Sequence, residues 1–340
     1  MEEREKTNYL AMWNGQRGAD RTPVNYQRRD DGSHVYTGNK DYFEWWYFDA
    51  SFDNGYHIVL TFHYSNVFLR PMIPTIQTMI YKPDGTQVAE YIACEPKDVF
   101  ACPDYCDVRM NGAWARDNGA IYEVYMNIRG LGAHLTFKNS VPGWKAGSGF
   151  LYKNEEEGSV SGWCIPVPNA YVEGELFLKG ETIKVEGSGY HDHNWGTYRF
   201  HQTFQSWYWG RIHDDKYTVV YGWVIPKDKD APVVSPLLIA RNDEIVLSTN
   251  MMDIELEDFA VESKTGKEYA KKLTLTSNVK GVNLSLLVNT HRVIEVMQLP
   301  KAVDWGQFYY RFLGDFEMNI EIDGEKDQVK NELLHELMIL

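Results

Sequence analysis

The sequence predicts an all-β chain of two tandem antiparallel β-barrels with a short helix at the C-terminus. Three observations predict it. Period-two alternation recurs between tight turns, one aromatic hairpin occurs twice, and 340 residues exceed what one ordinary small domain needs.

Alternation is cleanest from Lys216 to Ile225, where Tyr217, Val219, Tyr221, Trp223 and Ile225 share one face. Tyr56, Ile58, Leu60, Phe62 and Tyr64 do the same upstream. Turn signals at Asp53-Asn54-Gly55, Pro83-Asp84-Gly85, Lys179-Gly180, Asn242-Asp243 and Asp323-Gly324 separate such runs. Short strands joined by tight turns make a meander rather than βαβ units. The one helix expected runs from Lys326 to Leu340, where Val329, Leu333 and Leu337 form a stripe with Leu334 and Met338 beside it.

The repeat sets the domain count. An offset of 161 places Trp46 on Trp207, Tyr47 on Tyr208, Asp53 on Asp214, Tyr56 on Tyr217 and Val59 on Val220. The two hairpins are read as agreeing in length, turn position and inward face. The expected organisation is an N-terminal extension (1–39), a first barrel (40–190), a second barrel (197–325) and the terminal helix (326–340). Residues 147–162, with three consecutive glutamates, read as an exposed loop inside the first barrel.

Composition narrows the partners. Net charge is −14 with no basic patch, which argues against nucleic acid or an anionic membrane surface. No run approaches 18 apolar residues, so no membrane span is expected. The N-terminus is charged and lacks an apolar leader core, so a cytoplasmic location is expected. Cys94, Cys102, Cys106 and Cys164 then read as reduced thiols, and their spacing fits no zinc template. Aromatics at 14% can line a cavity as well as fill a core, which suits a hydrophobic small-molecule partner. The sequence sets no oligomeric state.

Two clusters carry the chemistry. In Gly189-Tyr190-His191-Asp192-His193-Asn194-Trp195-Gly196, an extended backbone turns His191, His193 and Trp195 one way and Tyr190, Asp192 and Asn194 the other. The first face is expected to present imidazole and indole to a cavity, and the second to anchor the segment. Three readings compete. One is a general acid or base, His193 beside Asp192. Another is a metal site on His-x-His, needing a third ligand such as His201, His63 or His213, none diagnostically spaced. The last is a structural corner between the barrels. In the second cluster, Tyr42 to Asp49, alternation groups Glu44 with Trp46 and Phe48, and Tyr47 with Trp45 and Asp49. A carboxyl such as Glu44 among aromatics would titrate high and could donate a proton. No nucleophile elbow, P-loop or dinucleotide fingerprint occurs.

With Glu44-Trp45-Trp46-Tyr47 and the central motif from Gly189 to Gly196, the chain resembles the carotenoid 1,2-hydratase/AttH-like family, which also takes in lipocalin-type Diels–Alderases. The resemblance spans roughly residues 40 to 325. It implies two lipocalin-like barrels with a cavity near their junction, and isoprenoid, polyene or polyketide substrates handled without an organic cofactor; no metal ligand is assigned. Hydratase chemistry would protonate an alkene and let water capture the cation, with His193 and Trp195 as candidates for donor and cation-stabilising face and Asp192 assisting. Trp46, Tyr47, Trp207, Tyr221 and Trp223 would line the substrate site.

One departure matters. The Tyr-x-Asp element expected after the hinge reads Tyr221-Gly222-Trp223 here, so Glu44, Asp49 or Asp192 must supply the acid, or the protein is a pericyclase that needs none. The leading expectation is a cofactor-independent hydratase/lyase or cyclase/isomerase acting on a hydrophobic isoprenoid- or polyketide-like molecule. The runner-up is a non-catalytic lipid- or isoprenoid-binding protein.

Overall fold

A computed structural model of the chain describes residues 6–23, 25–34, 38–66, 73–197, 200–298 and 307–340. Its strands form two antiparallel sheets. The first runs β5 (Gln87–Ala93), β4 (Thr75–Tyr81), β3 (His57–Ser65), β2 (Phe43–Phe52), β13 (Glu181–Gly196), β12 (Ser159–Leu178), β10 (Leu131–Asn139), β9 (Tyr122–Ile128), β8 (Ala113–Asp117), β7 (Asp107–Met110) and β6 (Val99–Ala101), with β11 (Phe150–Asn154) pairing off β12. The second runs β1 (Ala19–Asp20), β17 (Glu244–Thr249), β16 (Leu237–Arg241), β15 (Tyr217–Pro226), β14 (Phe204–His213), β22 (Glu325–Ile339), β21 (Phe308–Ile322), β20 (Val282–Gln298), β19 (Glu268–Val279) and β18 (Asp253–Val261).

Each sheet curls round its own core. In the first, Trp46, Phe48, Leu60, Phe62, Val124 and Phe137 meet inside, and β4 and β5 come to lie against β9. In the second, Val219, Leu273, Leu286, Phe312, Met318 and Leu337 do so. The hairpin turns obey the sequence signals. Lys179-Gly180 and Asp323-Gly324 both adopt positive φ at both positions, as a two-residue turn matched to strand twist requires.

A third core joins the outer faces of the sheets. Phe43, Trp144, Trp163, Tyr190, Phe204, Val220 and Leu238 are buried there. Polar bonds cross the same seam: Trp144 Nε1 donates to Ser248 Oγ at 2.8 Å and Asn169 Nδ2 to Thr218 Oγ1 at 3.0 Å. Residues before the first long strand thread both halves. Tyr9 and Met12 pack in the seam, Ala19 pairs with Thr249, and Asp31 is fully buried inside the first sheet.

Two expectations need correction. Residues 326–340 are not a helix but most of strand β22, paired on one side with β21 and on the other with β14. The inward row is Leu333, His335 and Leu337. A buried histidine in that row, bonded through Nε2 to Thr290 Oγ1 at 3.0 Å, hid the period of two and left the leucines looking helical.

The repeat is real in the second strands of its hairpins but slips in the first. Phe62 faces Trp46 and Trp223 faces Tyr208, so Tyr208, not Trp207, stands where Trp46 does. Four residues separate β2 from β3, and three separate β14 from β15. The one-residue difference turns Trp207 and Trp209 to the outer face.

Candidate active site

The two sequence clusters are neighbours on paired central strands. In the register of β2 and β13, Trp46 faces His193, Tyr47 faces Asp192 and Phe48 faces His191. Alternation then sends two sets of side chains to opposite sides, and both sides are buried.

The inner side holds Glu44, Trp46, His191, His193 and Trp195. His191 stacks on Phe48 with centroids 3.8 Å apart, His193 on Trp46 at 4.3 Å, and Trp195 on His34 at 3.9 Å. Glu44 accepts bonds from the Tyr42 hydroxyl, from the His34 N–H at 2.7 Å and from Ser33 Oγ at 3.2 Å, with His193 Nε2 at 3.0 Å. Burial pushes Glu44 up to about 7, offset in part by the Tyr42 bond, and holds His193 down to about 3.

The outer side faces a cavity of about 230 Å³ between the sheets. Trp45, Trp163, Phe204, Trp207, Trp209, Val224 and Pro236 form its apolar walls, while Thr61, Gln77, Tyr47, Asp192, Asn194, Tyr309, Arg311 and Glu336 supply polar groups. Central strands from both sheets contribute, so neither half could build it alone. Largely apolar walls with a few converging polar groups are what a small-molecule site needs.

Asp192 is the carboxyl best placed to react. It is 7% exposed and lines this cavity. Oδ2 accepts Trp163 Nε1 at 3.1 Å and the Tyr190 hydroxyl at 2.9 Å, whereas among the described residues Oδ1 accepts only Asn194 Nδ2, at 3.0 Å. Burial pushes Asp192 up to about 7, against the lowering effect of those bonds. A second polar group sits further along. Arg311 donates to Glu336 at 2.8 Å, to Tyr309 at 2.7 Å and to Tyr47 at 3.2 Å, and burial raises Glu336 above the ordinary range.

Of the sequence-predicted residues, Asp192, Tyr47 and Trp207 line the cavity. Glu44, His193, Trp46 and Trp195 lie on the inner side of the first sheet; Tyr221 is buried in the second sheet's core with Trp223 packed against it. The face expected to anchor the segment is therefore the one that meets the cavity. Among the suggested third metal ligands, His63 lines the cavity and His213 bonds the Pro168 carbonyl at 2.8 Å. Sequence reasoning missed Arg311, Glu336, Trp163 and Trp209. The signal for the first two was present: Arg311 and Glu336 face one another across β21 and β22, a pair legible only once 326–340 is read as strand.

A family model described as Diels-Alderase-like matches residues 33–291. The chain belongs to the Diels-Alderase-like family. Curated relatives include hydroxyneurosporene dehydrogenase of Chlorobaculum tepidum, 24% identical over 48% of this chain and 41% of that protein. A quinolone epoxide rearrangement protein of Emericella nidulans is 36% identical over 18% of this chain and 17% of the relative. The chain thus spans less than half the length of the curated relatives it matches. Among solved structures, an AttH-like protein of Nitrosomonas europaea superposes with a TM-score of 0.67 at 16% identity, covering 93% of this chain and 96% of that one. CghA solved with Sch210972 gives 0.64 at 15% identity, covering 95% and 98%. Kievitone hydratase of Nectria haematococca gives 0.59 at 15% identity, covering 94% and 97%. At these identities the likeness shows the fold, and it is the fold the family resemblance implies.

Proposed function

We propose that this chain is a cofactor-independent enzyme that converts a hydrophobic isoprenoid- or polyketide-like molecule in the cavity between its sheets. The reaction begins with proton transfer from Asp192 and proceeds to hydration, cyclisation or rearrangement. One observation carries the reading. A carboxyl that burial pushes up to about 7 lines an aromatic-walled cavity with an oxygen that, among the described residues, accepts one bond.

The chemistry follows from the surroundings. A protonated Asp192 delivers its proton through Oδ1 to an alkene, epoxide or carbonyl. Trp163 and Tyr190, bonded to Oδ2, stabilise the carboxylate left behind. The faces of Trp45, Trp163, Trp207 and Trp209 attract the cationic centre that forms. Arg311 and Glu336 orient a polar substituent of the substrate. His193 and Glu44, on the reverse of the same strands, lock β13 against β2 and so position Asp192.

The names of the relatives support a reading of this kind: one is a hydratase and another an epoxide rearrangement protein. A carrier that binds without chemistry has no use for a high-titrating acid at the ligand. The test is turnover of a panel of polyenes, prenylated phenols and polyketide epoxides by wild type and by Asp192→Asn. We expect many equivalents converted by wild type and at least a hundredfold loss in the variant, with ligand binding retained. Stoichiometric binding of every compound without conversion, or full activity in the folded variant, would overturn the reading.

A further inference from the structure

The inner side of the first sheet holds a group of donors that do not touch the substrate in the proposed chemistry. Asp31, His193 and Cys164 are each fully buried, and one ligand atom from each lies within 4.8 Å of the others. They come from three separate places in the chain: the turn Arg28–Asp31, β13 and β12.

Among the described residues, Asp31 Oδ1 and His193 Nδ1, 3.5 Å apart, are sealed from water without a well-formed hydrogen bond, the Asp30 carbonyl lying beside the imidazole. Leaving such atoms buried without a partner is costly. The remaining atom of each side chain is already engaged. His193 Nε2 bonds Glu44 at 3.0 Å, and Asp31 Oδ2 accepts the Tyr122 hydroxyl at 2.9 Å with His191 Nε2 at 3.0 Å. A histidine tied to a carboxylate through one nitrogen, with the other aimed inward, is how proteins orient metal-ligating imidazoles. Cys164 Sγ lies 3.3 Å from the Asp30 carbonyl, which also faces His34 Nε2 at 3.2 Å, so that oxygen borders the group on its fourth side.

We propose that His193 Nδ1, Asp31 Oδ1, Cys164 Sγ and the Asp30 carbonyl form a structural zinc site sealed inside the first sheet. With Zn–N near 2.0 Å and Zn–S near 2.3 Å, ligand atoms of a tetrahedral site stand roughly 3.3–3.8 Å apart; two of the separations, 3.5 Å and 3.3 Å, fall in that range, and the Asp31, Cys164 and His193 atoms, all within 4.8 Å of one another, would draw together on an ion. Mixed nitrogen, thiolate and carboxylate donors favour zinc over magnesium or calcium. Charge also balances. The Cys164 thiol loses its proton to solvent as the ion binds during folding, and thiolate plus Asp31 carboxylate neutralise the two positive charges. His193 keeps its proton on Nε2, donated to Glu44. The site would pin the N-terminal segment to the two longest strands of the first sheet.

The test uses the full chain expressed in minimal medium with zinc or with cobalt, freed of loose metal by chelator and desalting. Elemental analysis should return about one ion per chain. The cobalt protein should show tetrahedral d–d bands and a thiolate-to-cobalt charge-transfer band. Cys164→Ala should lose the charge-transfer band and retain no stoichiometric ion, whereas Cys106→Ala should keep both. Should Cys164→Ala fail to fold, Cys106→Ala decides, because Cys106 is the other buried thiol grouped with Asp31: a thiolate band that survives there supports Cys164, and one that is lost overturns the proposal. Wild type with no stoichiometric ion from either medium, an ion without a thiolate band, or an ion equally retained by folded Cys164→Ala would each overturn the proposal.

Discussion

Replacing Asp192 with Asn should change stability and activity in opposite directions. Asn keeps the shape and can still accept bonds from Trp163 and Tyr190, but it has no charge to bury. In the wild type, burial raises the carboxyl from an ordinary 3.8 to about 7. The folded chain therefore holds a proton that the unfolded chain releases above pH 4. The associated stability is fully present below pH 4 and is lost as pH rises towards 7, amounting to ~4 kcal/mol at about 1.4 kcal/mol per pH unit. Asp192→Asn has no such loss. The assay is urea unfolding of both proteins between pH 4 and pH 8. Taking the difference between them cancels Glu44 and every other group common to both. The gap should widen with pH in favour of the variant by ~4 kcal/mol. Curves that stay parallel across this range would refute the argument, because they would mean that Asp192 titrates like a solvated carboxyl.

Three further outcomes follow from other parts of the fold. Turnover by the wild type should fall as pH rises through about 7, since the acid form is the reactive one, and a pH–rate profile checks it. Arg311→Met leaves Glu336 buried without its partner and should cost ~3–5 kcal/mol in urea unfolding, much of it recovered in Arg311→Met/Glu336→Leu. Leu333→Ala should cost ~2–5 kcal/mol, because the side chain sits in the inward row of β22, and hydrogen exchange should show ladder protection along 325–339, strongest over 335–339 where the strand is paired on both sides.

Much of the architecture is legible in the sequence because strand alternation is a local signal. The row Tyr217, Val219, Tyr221 and Trp223 turns inward as its pattern says, and so does Ile58, Leu60 and Phe62. The division of faces in both clusters is legible too. Which face meets the cavity is not, because the strands β2 and β13 are buried on both sides and their pattern carries no polar contrast. That is why His193 reads as the cavity residue while Asp192 lines it. His335 concealed a strand, and the concealed strand in turn hid the Arg311–Glu336 pair. Asp31 stood outside any motif, since Tyr122, Cys164, His191 and His193 lie 91 or more residues away and are brought to it only by the fold.

The central claim is that Asp192 is a protonated acid facing the cavity near neutral pH. Isotope-edited infrared spectroscopy of the carboxyl, with Asp192→Asn as the subtraction reference, measures that state directly. A protonated C=O band assigned to Asp192 should persist above pH 6 and vanish with a midpoint near 7. A band that is gone by pH 5 would contradict the account, because the carboxyl would then be ionised wherever the enzyme is asked to give up a proton.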